Sequence, residues 1–186
     1  MATLTAPDGL PSASEMTALR ARATGAWALD PAASRAQFHV RTFWGAMTVH
    51  GSFEQISGEG RVGPAGVVSG HLFIDASSLN TRNRQRDRHL RSADFFDVEH
   101  HPEVAVTVSE AGPLAGTALH SRGTLEVAGH QQPLEFTADI LEASGDAVTL
   151  RAEVVLDRTR FGMTRGPLHM VARQARGVVT ARFVRQ

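Results

Sequence analysis

The chain has 186 residues, of which 42% are apolar, and its 19 basic residues balance its 19 acidic residues. A neutral chain of this length is typical of one globular domain and disfavours a general nucleic-acid binder, which would carry a basic excess. The absence of cysteine excludes a disulfide framework, a thiolate zinc site and a cysteine nucleophile. All of the basic residues are arginine, so Schiff-base and P-loop chemistry have no lysine to use.

The N-terminal segment, residues 1–25, is rich in Ala, Thr, Ser and Pro, and its composition favours a mobile tail. A short helix is the alternative, since Ser12 and Glu15 fit a capping box and Met16 and Leu19 lie on one helical stripe. Such a helix would cover one end of the domain or contact a partner subunit. The segment lacks the apolar core and early basic cluster of a secretory signal, so we expect a cytoplasmic protein.

From Trp27 onward, apolar and polar residues alternate in short runs. In Arg35–Arg41, for example, Ala36, Phe38 and Val40 share one face of the chain. A period of two predicts half-buried strands. The same alternation recurs in the runs 68–75, 104–108, 134–140, 148–156 and 178–183. Turns are predicted at the Gly-containing and Pro-containing segments 57–60, 63–66, 111–113, 129–133 and 144–146.

The strands between residues 116 and 145 follow one another with tight connections. Parallel strands would need long crossovers, so these strands form an antiparallel meander. About eight strands in one open sheet would leave exposed edges, and closure into a barrel removes them. The sequence therefore predicts an all-β antiparallel barrel over residues 26–186.

One segment, residues 81–101, interrupts the alternation. Its first half predicts a short helix from about Arg82 to Ser92, with Thr81 as the candidate N-cap. Phe95 and Phe96 follow directly. We expect these two rings to anchor the helical excursion on the sheet, or to line a binding site for an apolar chain.

This segment also carries a set of motifs, Arg86-Asp87, His89-Leu90-Arg91-Ser92 and Asp94-Phe95-Phe96-Asp97. Further motifs occur elsewhere, at Trp27–Pro31, Phe38–Arg41, Gly51–Phe53, Ile74–Leu79, Gly123–Leu125, Asp157-Arg158 and Phe161-Gly162. The ordered set, from residue 27 to about 165, resembles the YceI-like family of lipocalin-like polyisoprenoid-binding proteins.

The resemblance implies a lipocalin-like barrel with an elongated apolar interior that holds a long isoprenoid or similar chain. It also implies a protein that is often a dimer and has no catalytic residues. The chain departs from the family pattern after Arg41, where Thr42, Phe43 and Trp44 replace the histidine that is common in the family. The mouth of the cavity is expected to differ accordingly.

An apolar chain gains about 25 cal/mol for each Å² that it buries, so its site needs apolar area and few polar groups. The expected wall residues are Phe38, Val40, Ile74, Val106, Leu125, Phe136, Leu150 and Val154. The expected mouth or end residues are Phe43, Trp44, Leu90, Phe95, Phe96, Phe161 and Met163.

Arginines crowd the predicted helix, at positions 82, 84, 86, 88 and 91. Guanidinium groups pair well with phosphate oxygens, such as those of an isoprenoid diphosphate. A solvated helix face is the simpler interpretation, because exposed charges often contribute little. The pair Arg86 and Asp87 is interpreted as a structural clasp. The candidate head-group contacts are Arg41, Arg84, Arg88 and Arg158.

The nine histidines show no HxH or HxxxH spacing, so no metal or haem site is predicted. Asp157 with His169, or Asp94 with Asp97, could form acid/base pairs, but no motif fixes their geometry. We therefore expect a carrier of a polyisoprenoid, an isoprenoid quinone or a fatty-acyl derivative, without cofactor, nucleic-acid partner or stable membrane insertion, and with a homodimer as a candidate assembly.

Two alternatives to the carrier stay open. One is an enzyme that isomerises or cyclises a hydrophobic substrate in the same cavity. The other is a structural or dimerisation module in which side chains fill the barrel. An internal void distinguishes the carrier from the filled module, since a barrel of about eight strands has room for one slim ligand or for none.

Overall fold

The computed structural model describes residues 23–64, 66–115, 117–164 and 171–186. Within these residues the chain forms eleven strands and the helix α1 (Arg84–Arg91). The strands are β1 (Gly25–Leu29), β2 (Arg35–Thr42), β3 (Met47–Phe53), β4 (Ile56–Val62), β5 (Val68–Asp75), β6 (Leu79–Asn80), β7 (Glu103–Ala115), β8 (Ala118–Val127), β9 (His130–Ala143), β10 (Ala147–Asp157) and β11 (Val171–Arg185).

Eight of the strands close into an antiparallel barrel, in the order β1-β4-β5-β7-β8-β9-β10-β11, with β11 returning to β1. The barrel closes through the last residues of β11, where Phe183 pairs with Leu29 and Arg185 with Trp27. The earlier part of β11 pairs with β2 instead, so β2, β3 and β6 form a three-stranded extension beside the barrel. The predicted barrel is confirmed, and so is the antiparallel meander predicted between residues 116 and 145, where β8 pairs with β9.

Strand β7 runs through a predicted turn. The sequence predicted turns at 57–60 and 111–113, and both predictions are wrong, because β4 runs through the first segment and β7 continues to Ala115. Proline cannot donate to the strand ladder and is tolerated where the ladder is irregular. The register of β7 against β8 shifts between Pro113 and Ala115, which is such a place. Pro133 likewise lies inside β9, opposite Thr124.

The helix α1 begins two residues later than predicted, and Thr81 is not its cap. Asn83 caps it, because its side-chain oxygen accepts from the backbone N–H groups of Gln85 (3.1 Å) and Arg86 (3.0 Å). Thr81 instead donates from its backbone N–H (2.9 Å) and its hydroxyl (2.5 Å) to the buried carboxylate of Asp87.

The side chain of Arg86 completes this arrangement. Its Nε donates to the Thr81 hydroxyl (2.7 Å), and its Nη2 donates to the Thr81 carbonyl (2.8 Å). The interpretation of Arg86 and Asp87 as a clasp is therefore confirmed. The clasp holds α1 against the chain that leaves β6.

The buried core gathers at one end of the barrel. Ile56 begins β4, Val104 lies near the start of β7, and Val127 ends β8, so these side chains come from the same end of neighbouring strands. Phe95 and Phe96, which follow α1, pack against this cluster. None of the helices in the described part of the chain has the length and apolar character of a membrane span.

Residues 1–25 were predicted as a tail, and residues 1–22 of this segment lie outside the described part of the chain. Gly25 already belongs to β1. The indole N–H of Trp27 donates to the carbonyl of Ala23 at 2.9 Å, so the chain is tied to the barrel from that point.

Candidate functional site: a cavity inside the barrel

A cavity of about 890 Å³ lies inside the barrel, and its walls carry mainly aliphatic and aromatic side chains. Small-molecule sites in proteins have volumes of about 300–1,000 Å³ and are mostly apolar, with a few polar groups. The cavity therefore has the size and the chemistry of a binding site. A void of this size does not fit the alternative in which side chains fill the barrel.

Small residues on the inner face of β9, β10 and β11 leave this space open. Ala152 on β10 pairs with Ala138 on β9 and with Val179 on β11, and all three line the cavity. Further along the wall, Gly177 on β11 pairs with Val154. Larger side chains at the two alanines and the glycine would occupy the lumen.

The ring of Phe38 lies along the wall because its neighbour on β3 is a glycine. Gly51 pairs with Phe38, and a Cβ at position 51 would lie 2.2 Å from the phenyl ring. The ring therefore occupies the place of a side chain on β3. It also packs against the rings of Phe53 (5.6 Å between centroids) and Phe96 (6.5 Å).

The structure places most of the predicted site residues on the cavity wall. All of the expected wall residues line it, namely Phe38, Val40, Ile74, Val106, Leu125, Phe136, Leu150 and Val154. Five of the expected mouth residues line it too, namely Leu90, Phe95, Phe96, Phe161 and Met163. Their contact with a ligand stays a prediction.

Phe43 lies elsewhere, and its expected position at the mouth is corrected. The chain leaves β2 in a short 3-10 turn, Phe43–Gly45, with a φ of 51° at Phe43. The backbone of Phe43 is thus left-handed, and its side chain is 46% exposed and does not line the cavity. The side chain of Trp44, the other aromatic residue predicted here, lies outside the described part of the structure.

Three of the four candidate head-group arginines do not line the cavity, and these expectations are also corrected. Arg41 lies on the outer face of β2, because its neighbours Val40 and Thr42 line the inner face. Arg84 and Arg88 lie on the exposed side of α1.

Arg158 does line the cavity, and its guanidinium donates hydrogen bonds to backbone carbonyls. Nε donates to the Ala172 carbonyl at 2.9 Å, Nη2 to the Val171 carbonyl at 3.3 Å, and Nη1 to the Met163 carbonyl. Burial lowers the pKa of Arg158, and the charge of Asp157 opposes that effect. These bonds tie the turn at residues 158–161 to the first residues of β11.

Asp157 caps the same turn. Its carboxylate accepts from the hydroxyl (2.6 Å) and the backbone N–H (3.0 Å) of Thr159 and from Arg173 (2.8 Å). The bonds from Thr159 come first among the causes that lower the pKa of Asp157. A carboxylate held ionised by such bonds is a poor general base. His169, its candidate catalytic partner, lies outside the described residues.

Sequence reasoning missed several polar residues of the cavity wall, and two of them, Arg86 and His89, lie on α1. The signal was present, because Arg86, His89 and Leu90 are spaced i, i+3 and i+4 and so share one face of α1. The His89 ring lies edge-on to Phe95 at 5.0 Å and pairs with Asp94 at 3.6 Å. α1 thus contributes both the apolar Leu90 and a polar border to the cavity.

Two histidines meet on the outer surface of the extension. His39 and His50 are direct partners on β2 and β3, with their Nδ1 atoms 2.6 Å apart. Burial is the largest cause that lowers the pKa of His39. The charges of His50 and Arg176 lower this pKa further, and the charge of Glu153 opposes them. Within the described ranges, no group of three or more His, Asp or Glu side chains is placed to hold a metal ion.

The fold and the cavity define a class of protein, a closed eight-stranded antiparallel barrel of the lipocalin-like type with a hollow apolar interior. The sequence model of the YceI-like domain matches residues 27–182, so the chain belongs to the YceI-like family. The family resemblance inferred from the sequence motifs is thereby confirmed.

Relatives and solved structures agree with this assignment. A UPF0312 protein of Vibrio cholerae is 27% identical over 100 residues, which are 53% of each chain, so the match spans about half the length of that relative. The crystal structure of BcnA from Burkholderia cenocepacia has a TM-score of 0.75 at 18% identity and covers 83% of this chain and 98% of that one. A polyisoprenoid-binding domain from Saccharophagus degradans has a TM-score of 0.72 at 17% identity, with coverages of 86% and 98%.

Proposed function

We propose that this protein binds and carries a long apolar molecule inside its barrel. The observation that carries the proposal is the cavity of about 890 Å³ with its mainly apolar wall. A slim chain in such a space gains about 0.8 kcal/mol for each methylene that it buries. A polyisoprenoid, the tail of an isoprenoid quinone and a fatty-acyl chain all fit this chemistry.

The similarity to solved structures supports the same class of ligand. One of them is described as a polyisoprenoid-binding domain. The residues predicted to contact the ligand are the wall set led by Phe38, Leu125 and Leu150, and the end set led by Phe95 and Phe161.

Two of the charged groups that line the cavity, Arg86 and Arg158, are bound to the protein itself. Arg86 donates to Thr81, and Arg158 donates to the backbone carbonyls of Ala172 and Val171. These two guanidinium groups hold the fold, so we assign them no proton transfer. The proposal is for a carrier that releases its ligand unchanged.

Organic extraction of the purified protein, followed by mass spectrometry, tests the proposal. We expect a long-chain lipid in stoichiometric amount, recovered unchanged after incubation with the protein. Repeated absence of such a lipid, together with failure to bind added isoprenoid quinones, would contradict it. Turnover of the bound molecule would favour the enzyme alternative.

The head group can be tested separately with the two exposed arginines of α1. Because Arg84 and Arg88 do not line the cavity, the double variant Arg84→Ala/Arg88→Ala is expected to bind a diphosphate-headed isoprenoid with unchanged affinity. An affinity at least about tenfold weaker would restore these arginines to a head-group role.

A further inference from the structure

The hairpin between β2 and β3 displays apolar side chains outside the barrel. Phe43, which begins a short 3-10 turn, is 46% exposed, and Met47, which begins β3, is 59% exposed. We call residues 42–47 the hairpin tip. Exposed large apolar residues that stand together commonly mark an interaction site.

The backbone of the tip is strained. Phe43 has a φ of 51°, in the left-handed region that bulky residues rarely adopt and that glycine adopts freely. The ring gains no burial in the core that would offset this strain. Strained residues without an internal benefit point to a role outside the fold.

Two exposed arginines lie near the tip. Arg41 is exposed and immediately precedes the tip, and Thr42 pairs with Val171 at the start of β11. Two residues further along β11, the side chain of Arg173 is 75% exposed and donates to the Asp157 carboxylate at 2.8 Å. An apolar tip with a cationic border matches the chemistry of an anionic bilayer surface.

A surface groove of about 680 Å³ continues this region between β10 and β11. Arg160 and Arg173 line it, together with Asp157 and Val155, whose exposure is 55%. The Arg173 guanidinium is paired with the Asp157 carboxylate, so Arg160 supplies the excess positive charge of the groove. Guanidinium groups beside exposed apolar side chains suit the phosphates and the upper acyl region of a lipid layer.

The tip also lies next to the cavity. Thr42 begins the tip, and Thr42, Val49 and Val171 all line the cavity wall. A surface that held the tip in a lipid layer would therefore hold this end of the cavity against the same layer.

We propose that the hairpin tip docks the protein reversibly on the surface of an anionic lipid bilayer, with Phe43 and Met47 in the acyl boundary and Arg41 and Arg160 near the phosphates. This rests on the proposed carriage of an apolar molecule, because such a ligand is stored in membranes. Docking brings the end of the cavity that Thr42 and Val171 line to the layer that stores the ligand.

Co-sedimentation with phosphatidylcholine vesicles, with and without phosphatidylglycerol, tests the proposal. Phe43→Gly removes the ring and relieves the left-handed strain, so this variant should be folded at least as stably as the parent. We expect its vesicle binding to weaken by about tenfold or more. The matched control is Leu141→Ala on β9, where the parent side chain is 53% exposed, and its binding should be unchanged.

Charge provides the second arm of the test. Binding of the parent protein should fall when phosphatidylglycerol is left out and when salt is raised. Arg41→Gln should weaken binding by about fivefold, because each basic residue near an anionic surface contributes on the order of that factor. Equal binding of the Phe43→Gly variant and the parent to anionic vesicles would overturn the docking proposal.

A vesicle-free titration with a fluorescent fatty acid separates docking from carriage. Docking predicts that Phe43→Gly keeps this ligand affinity while it loses vesicle binding. If the parent protein binds vesicles but does not bind the fatty acid, the result would contradict carriage and leave docking intact. A change of sedimentation coefficient in Phe43→Gly without a change in vesicle binding would assign the tip to contact with a second copy and overturn docking.

Discussion

Substitution of Ala152 by phenylalanine should block the cavity without harming the barrel. Ala152 lies in the middle of β10, and its methyl group faces the lumen between Ala138 and Val179. Side chains in a barrel of eight strands leave room for one slim ligand. A phenyl ring at this position would therefore stop an apolar chain part of the way along the cavity.

The magnitude follows from the length of chain expelled. Each methylene returned to water costs about 0.8 kcal/mol, so the loss of about four methylenes costs about 3 kcal/mol. The affinity should therefore fall by about a hundredfold or more. Filling of an apolar void commonly stabilises a protein by about 0.5–2 kcal/mol, so the free energy of unfolding should stay constant or rise.

Titration with an isoprenoid quinone measures this effect. Trp27 lines the cavity, so its fluorescence should be quenched when the quinone enters. Val155→Phe is the matched control, because Val155 lies three residues further along β10 with an exposed side chain. Equal affinities of Ala152→Phe and the parent, with both proteins folded, would refute the placement of the ligand inside the barrel.

Three further predictions concern stability, each measured by urea unfolding. Asp87→Ala removes the two hydrogen bonds that Thr81 donates and should lower the free energy of unfolding by about 3–5 kcal/mol. Asp87→Asn keeps an acceptor and should lower it less. Equal losses in the two variants would contradict the role of the clasp. Gly51→Ala places a Cβ 2.2 Å from the Phe38 ring and should cost about 1–3 kcal/mol, and an unchanged stability would show that the ring moves freely. Because the pKa of His39 is lowered in the folded protein, the unfolded chain takes up a proton more readily as the pH falls below 6.5, and the free energy of unfolding should decline there. His39→Gln should make this decline less steep. An unaltered pH profile in the variant would contradict the role of His39.

The inner wall could be predicted from the sequence because a strand alternates its faces with a period of two. Once Phe38 and Val40 are assigned to one face of β2, the inward position of each follows. The same logic placed Leu150 and Val154 on the inner face of β10. Closure of the barrel was expected from the number of strands, and the pairing of Leu29 on β1 with Phe183 on β11 confirms this closure.

The errors arose where a backbone conformation or a long-range pairing decides the outcome. The position of Phe43 depends on one left-handed φ, which alternation does not encode. The continuation of β7 past Pro113 depends on an irregular register with β8. The side extension depends on β11 dividing its pairing between β1 and β2, and residues far apart in the chain determine that division.

The central claim is that the barrel holds an apolar chain along its length. Titration with a homologous series of saturated fatty acids of increasing chain length tests this claim most directly. The dissociation constant should fall by about fourfold for each added methylene and then level off when the cavity of about 890 Å³ is full. A dissociation constant that does not change with chain length would contradict the claim.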